Sequence, residues 1–143
     1  MSEDDTLTVV LIEDDDVAAE AVERSLSRLE ERVKLIWAHD GQDGLDVLRG
    51  RDPARIAARP RLILLDLNMP RMNGFEFLRA MREDPTLRDE IAFVLTTSDD
   101  DTDRSRAYHE NIAGYMVKSA VGPQFAKLIQ LLRSYRHAVK LPG

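Results

Sequence analysis

The sequence predicts an α/β protein: a doubly wound parallel sheet of five strands flanked by five helices. Short apolar runs rich in β-branched residues alternate five times with segments of helical periodicity. Four of the five predicted strands end on a polar or charged residue, as expected where a parallel sheet carries chemistry at its carboxyl edge. The length of 143 residues, 43% of them hydrophobic and 32% charged, suits one globular domain with a sizeable core.

Thr8 to Ile12 (TVVLI) reads as a buried strand, being continuously apolar. Val17, Ala18, Ala21, Val22, Leu26 and Leu29 then recur at helical spacing, predicting a helix over about Asp15 to Glu31. Val33 to Ala38 is a second strand. A short second helix follows from about Asp40 to Gly50, weakened by Gly41 and Gly44. Arg51 to Pro60 reads as helix end and loop. Leu62 to Asp66 is a third strand that ends on an acid, followed by turn signals at Asn68-Met69-Pro70 and Asn73-Gly74. Phe75, Phe77, Leu78 and Met81 begin a third helix that stops before Asp84-Pro85. Ile91 to Leu95 is the fourth strand, Asp100 to Asn111 a mostly polar fourth helix, and Gly114 to Val117 the fifth strand. The last helix is predicted from Pro123 to about Val139, with proline in its first turn.

Composition narrows the function classes. There are no cysteines, which excludes disulfides, thiolate metal sites and cysteine catalysis. The N-terminus is acidic where a secretory signal would be basic then apolar, and no apolar run is long enough to span a bilayer. The net charge of -6 argues against a nucleic-acid surface. A cytoplasmic, soluble, single-domain protein over residues 1–143 is expected, with about 7–137 as its core and no output domain. The charge is uneven. Acids concentrate at Glu3 to Asp5, Glu13 to Asp16 and Asp99 to Asp103, whereas from Lys118 onward there are bases and no acid.

The strand ends converge if the sheet is as predicted. Strand one ends at Glu13-Asp14-Asp15, strand three at Asp66, strand four at Thr96 and strand five at Lys118. Crowded carboxylates repel in a partly desolvated site, and a divalent cation relieves this. Oxygen ligands without cysteine or clustered histidine favour Mg²⁺ or Mn²⁺. A metal, a lysine and a hydroxyl around one carboxylate suit an aspartate that accepts a phosphoryl group. Taken singly, each residue has a plainer role. Asp15 or Asp16 could cap the first helix, Thr96 could be structural, and Lys118 could be a solvated charge. The ordered conjunction carries the signal.

That conjunction resembles the receiver domain of two-component response regulators. The matching pieces are Glu13-Asp14 after VVLI, LLDLNMPRMNG around Asp66, LTTS with Thr96, and GYMVK with Lys118. Thr96 follows Asp66 by 30 residues and Lys118 follows it by 52. The resemblance spans about residues 7 to 137 and implies a flavodoxin-like sheet in the order 2-1-3-4-5. It implies that Asp66 is the phosphoacceptor. Asp14, Asp66 and the Asn68 backbone carbonyl would bind Mg²⁺, with Mn²⁺ able to substitute and Glu13 acting through water. Asp15 stays open as a further acid. Lys118 and Thr96 would meet the phosphoryl oxygens, backbone N–H groups near Asn68 and Thr97 would complete the cradle, and Tyr115 would be the aromatic switch.

The family usually has Lys-Pro with a cis peptide bond after strand five. Here the pair is Lys118-Ser119, and a cis bond ahead of serine costs about 3 kcal/mol, so a trans loop that aims Lys118 differently is expected. The stretch REDPTLRDEIAFVLTTSDDD also resembles single-domain regulators that serve phytochrome-type histidine kinases. The partners implied are a sensor histidine kinase, a bacteriophytochrome among the candidates, and a downstream target or phosphotransfer protein. A homodimer through the helix 4–strand 5–helix 5 face is also expected, because the Leu131 to Val139 end looks apolar beyond what the sheet covers. The expected role is a signalling phosphoacceptor with weak self-catalysis rather than an enzyme. A haloacid-dehalogenase-type phosphatase needs a second Asp two residues after the first, where this chain has Asn68. A receiver that only binds partners is disfavoured by the intact acids, threonine and lysine. No GxxxxGK[ST] or GxGxxG motif supports nucleotide binding, and His39, His109 and His137 form no metal motif.

Overall fold

The computed structural model describes residues 6–28, 32–118, 126–138 and 140–142. Its elements are β1 (Leu7–Ile12), α1 (Asp16–Leu26), β2 (Val33–Ala38), α2 (Gly41–Leu48), β3 (Arg61–Leu65), α3 (Gly74–Glu83), β4 (Ala92–Thr96), α4 (Asp101–His109), β5 (Gly114–Val117) and α5 (Ala126–Ala138). The strands form one parallel sheet in the order β2-β1-β3-β4-β5. This is the predicted flavodoxin-like architecture.

Alternate residues of each central strand serve opposite faces, which is why the strands read as unbroken apolar runs. Val10, Ile12, Ile63, Leu65 and Val94 pack with Leu45, Leu48, Phe77, Leu78, Met81 and Ala107, so α2, α3 and α4 cover one face. Val9, Leu11, Leu62, Leu64, Phe93 and Leu95 pack with Ala19, Val22, Leu26, Leu128 and Leu132, so α1 and α5 cover the other. Leu131 and Tyr135 also lie against this second cluster, Tyr135 edge-on to Phe93 at 5.2 Å. The described part of the α5 apolar stripe is thus turned to the sheet.

Element ends differ from the sequence reading by a residue or more, because caps decide them. Asp15 caps α1 through the Val17 N–H, Asp40 caps α2 through the Asp43 N–H, and Asp100 caps α4 through the Thr102 and Asp103 N–H groups. Asn73 and Glu76 form a reciprocal capping box on α3. Each capping residue therefore precedes its helix rather than opening it. The first helix closes at Leu26, well short of Glu31, where Ser27 donates its hydroxyl to the Arg24 carbonyl. β3 and β4 are each shifted by one residue: β3 starts at Arg61 and leaves Asp66 just outside, and β4 takes in Thr96. The expectations for Pro123 and for the Lys118–Ser119 bond fall outside the described residues.

Two ion-pair networks that the sequence did not signal tie the loops down. At the amino edge of the sheet, the Arg61 guanidinium meets the buried Glu90 carboxylate with Nε–Oε1 at 2.9 Å and Nη2–Oε2 at 2.8 Å. Arg61 also donates to the Ala57 carbonyl, and Arg59 adds a second contact to Glu90 at 2.9 Å. The predicted loop from Arg51 to Pro60 is pinned by Arg55, which bridges Asp43, Asp52 and the Trp37 carbonyl.

Replacing Glu90 with alanine leaves the Arg61 guanidinium buried without its counter-charge. The expected loss of unfolding free energy is about 3–5 kcal/mol, read from urea titrations. Arg55, with burial opposing, holds the Asp43 carboxyl below its ordinary 3.8. A depressed folded value means the stabilisation is complete above the ordinary value and vanishes as pH falls through the folded one. The stability gap between wild type and Asp43→Asn is therefore expected to be widest near neutrality and to close toward pH values below the ordinary carboxylate range. A gap of constant size across that titration would contradict this assignment.

Candidate functional site

Parallel strands end side by side, so the residues that follow β1, β3 and β5 meet at one edge. Glu13, Asp14 and Asp66 each bring a carboxylate oxygen within 4.8 Å of the others. Glu13 and Asp66 are buried at 2% and 7% exposure, whereas Asp14 is exposed. Lys118 reaches in from the end of β5, with Nζ 2.6 Å from Glu13 Oε1 and 3.6 Å from Asp66 Oδ2. The sequence paired Lys118 with phosphoryl oxygens. In the structure its nearest partner is Glu13, a contact across 105 residues of chain.

The electrostatics show how strained this group is. Burial pushes the Glu13 carboxyl up to about 7, with Lys118 pulling against it and Asp66 adding repulsion. Burial acts to lower the Lys118 pKa, but Glu13 and Asp66 outweigh it and hold the ammonium above its usual value. One lysine contacts two of the three carboxylates. The donor set is all oxygen, partly buried and short of positive charge, which fits a hard divalent cation.

The backbone around Asp66 is equally confined. The Asn68 N–H donates to Asp66 Oδ1 at 3.3 Å, and the Gly74 N–H closes the loop onto the Leu67 carbonyl at 3.0 Å. A Cβ on Gly74 would lie 2.6 Å from the Asp66 carbonyl oxygen, so only glycine lets α3 start this close to the acid. A cleft of about 520 Å³ opens beside this loop, lined by Asp14, Asn68, Asn73, Phe75, Asp103 and Arg106 among others. Asn68 therefore borders both Asp66 and the open side of the site.

Thr96 is fully buried at the end of β4, and its hydroxyl oxygen accepts from the Ser98 N–H at 3.4 Å. No hydrogen bond joins it to Asp66 among the described residues. Tyr115, half-buried on β5, donates its hydroxyl to the Ser98 carbonyl at 2.9 Å. Asp15 is the predicted alternative that the structure resolves: its side chain caps α1, and it is not part of the three-carboxylate cluster. Two contributors escaped the sequence reading. Trp37 donates its indole N–H to the Glu13 carbonyl at 2.7 Å and lies beside the His39 ring at 4.3 Å. Arg71 reaches back to Asp40. Neither carries a local sequence signal, because each acts on a partner far along the chain.

Known proteins resemble the chain over most of its length. Rcp1, a response regulator of Synechocystis sp., is 30% identical over 136 residues, covering 94% of this chain and 92% of that protein. The probable methanogenesis regulatory protein FilR2 of Methanothrix harundinacea is 30% identical over 132 residues, covering 92% and 84%. The crystal structure of the Mn²⁺-bound form of Rcp1 superposes with a TM-score of 0.82 over 95% of this chain and 99% of that one, at 30% identity. The phosphorylated cyanobacterial phytochrome response regulator RcpA gives 0.83 over 95% and 98%, at 28% identity. The family described as the response regulator receiver domain matches residues 9–132, and the chain belongs to it.

Proposed function

We propose that this chain is a single receiver domain that accepts a phosphoryl group on Asp66 from a sensor histidine kinase. The observation that carries the reading is Asp66 itself: a buried carboxylate at a strand end, within 4.8 Å of two others and 3.6 Å from the Lys118 ammonium. In the transfer, an Asp66 carboxylate oxygen forms the new P–O bond as the donor's P–N bond breaks. The bonding pair stays on the departing imidazole nitrogen. Lys118 offsets charge on the phosphoryl oxygens, and the Thr96 hydroxyl donates to one of them. The Asn68 and Thr97 N–H groups supply further donors. Mg²⁺, with Mn²⁺ as a substitute, would be held by Asp14, Asp66 and the Asn68 carbonyl, with Glu13 acting through water, and would supply positive charge at the phosphoryl oxygens.

The output is conformational rather than enzymatic, apart from slow self-catalysed phosphorylation and hydrolysis. Phosphorylation adds roughly one and a half to two negative charges beside Lys118 and Thr96. Thr96 moves toward them, Tyr115 follows, and the α4–β5–α5 surface shifts its population of states. That surface would dock a downstream target, a phosphotransfer protein or a second copy of the chain. RcpA is described as a phytochrome response regulator, which supports a bacteriophytochrome as the kinase; the cytoplasm is the proposed place of action.

Incubation with acetyl phosphate and Mg²⁺ is expected to give a hydroxylamine-sensitive phosphoprotein in wild type and none in Asp66→Asn. Equal labelling of both proteins would show that Asp66 is not the acceptor. Trp37 is the only tryptophan, and its indole is bonded to the Glu13 main chain. Titration with MgCl₂ is expected to change its emission in wild type, EDTA to reverse the change, and Asp14→Ala to weaken or abolish it. Emission that ignores Mg²⁺ while calorimetry records binding would break the link between indole and site.

A further inference from the structure

The loop between Asp66 and α3 carries Asn68, whose carbonyl is a proposed metal ligand, and the loop is long enough to need an outer restraint. Its inner end is fixed by the Asn68 N–H on Asp66 and the Gly74 N–H on Leu67. Its outer end carries Arg71 at φ 62°, a left-handed conformation that a branched or long side chain adopts only against resistance. What holds it there is the turn between β2 and α2. Arg71 Nε and Nη2 lie 2.7 and 2.5 Å from one oxygen of the buried Asp40 carboxylate. The other Asp40 oxygen caps α2 through the Asp43 N–H at 2.8 Å. Next to it, the Gly41 N–H donates to the Met72 carbonyl at 3.1 Å. A Cβ on Gly41 would sit 2.6 Å from that same carbonyl, so the two backbones meet with no room for a side chain.

The end of β2 that leads into this turn is bonded to the other side of the acidic cluster. The Glu13 N–H donates to the Ala38 carbonyl, and Trp37 donates to the Glu13 carbonyl. Residues 37–41 therefore hold Glu13 on one side and the Asn68 loop on the other. We propose that the Arg71–Asp40 pair is a latch that positions the Asn68 carbonyl for the divalent cation, which makes Arg71 and Asp40 positioning residues for metal binding. The latch rests on the receiver reading of the site. It differs from the ligands in touching neither the metal nor Asp66.

Glycine at position 71 separates the latch from backbone strain. Arg71→Gly keeps the left-handed conformation at no steric cost while deleting the guanidinium. Asp40→Asn keeps a good helix cap while deleting the charge. Mg²⁺ affinity of the full chain, measured by calorimetry and by Trp37 emission, is expected to fall roughly 10-fold in each variant, as for other residues that orient metal ligands. Melting midpoints in EDTA are expected to stay close to wild type for Asp40→Asn, which leaves no buried charge unpaired, whereas Arg71→Gly, which strands the buried Asp40 carboxylate, is expected to lose stability as well. The double variant is expected to lose no more affinity than either single one, because both changes open the same contact. Arg71→Lys, which restores a cation, is expected to recover part of the affinity. Affinities within about twofold of wild type in both single variants would overturn the proposal, given the usual size of such effects. So would a matching loss of stability of Asp40→Asn in EDTA, which would make the pair merely structural. If wild type itself shows no saturable Mg²⁺ binding, the metal-dependent phosphoacceptor reading of the site fails, and the latch with it.

Discussion

Three carboxylates crowded onto one edge of the sheet are the constraint from which the rest of the site follows. Two like charges about 4 Å apart repel by roughly 4 kcal/mol at the effective dielectric of a protein surface. Glu13, Asp14 and Asp66 lie within that order of separation, and Lys118 is the one basic group in contact with them among the described residues. The protein contains the repulsion in two ways. It lets Glu13 hold its proton more tightly than an ordinary carboxyl, and it places Lys118 where both buried acids share it. An added cation, or a phosphoryl group that draws Lys118 away from Glu13, changes this balance at once. The site is therefore sensitive to charge by construction, which a phosphorylation-driven switch requires.

Such a cluster needs a rigid mount, and the two edges of the sheet divide the labour. At the amino edge, Arg61 and Glu90 form a bidentate buried pair with every strong partner satisfied, which anchors the starts of β3 and β4. At the carboxyl edge, charges are left under-compensated. The strands between them are fully buried from Leu7 to Ile12 and from Arg61 to Leu65, so they transmit position with little give. Loops on the functional edge are bonded to one another rather than left to solvent. The end of β2 touches Glu13 and the turn after it touches the Asn68 loop, so this face of the site is set by tertiary contacts as well as by Asp66.

Most of the fold was legible in the sequence because a doubly wound parallel sheet has an unusually plain signature. TVVLI and LILL are apolar on both faces, and the capping acids Asp15, Asp40 and Asp100 mark where helices begin. The candidate site was legible for the same reason: strand ends are adjacent in space, so Glu13, Asp14, Asp66 and Lys118 had to meet. What escaped was pairing at long range. Lys118 with Glu13, Trp37 with the Glu13 carbonyl and Arg71 with Asp40 join residues 105, 24 and 31 positions apart. No periodicity or motif encodes such contacts. Asp15 was ambiguous for a different reason, since a cap and a ligand are both acids after a strand, and only the Val17 N–H distinguishes them.

On the other side of Asp66, Thr96, Tyr115 and α4 are joined through one residue. Ser98 donates its N–H to Thr96, accepts the Tyr115 hydroxyl at its carbonyl, and donates its own hydroxyl to Asp103 on α4 at 2.7 Å. Thr96, Tyr115 and α4 are therefore held by three groups of a single residue. A displacement of Thr96 toward the acidic cluster pulls on the Ser98 N–H, and the same peptide segment carries the carbonyl that anchors Tyr115. The Tyr115 phenol is a donor to that carbonyl, and burial pushes its pKa above the ordinary value. The α4 side has little apolar packing to resist such a pull, because Ala107 is its one buried residue. A weakly packed helix tied by a serine and an aspartate to a tightly packed threonine is the combination that would let a small shift of Thr96 be felt at the α4 surface.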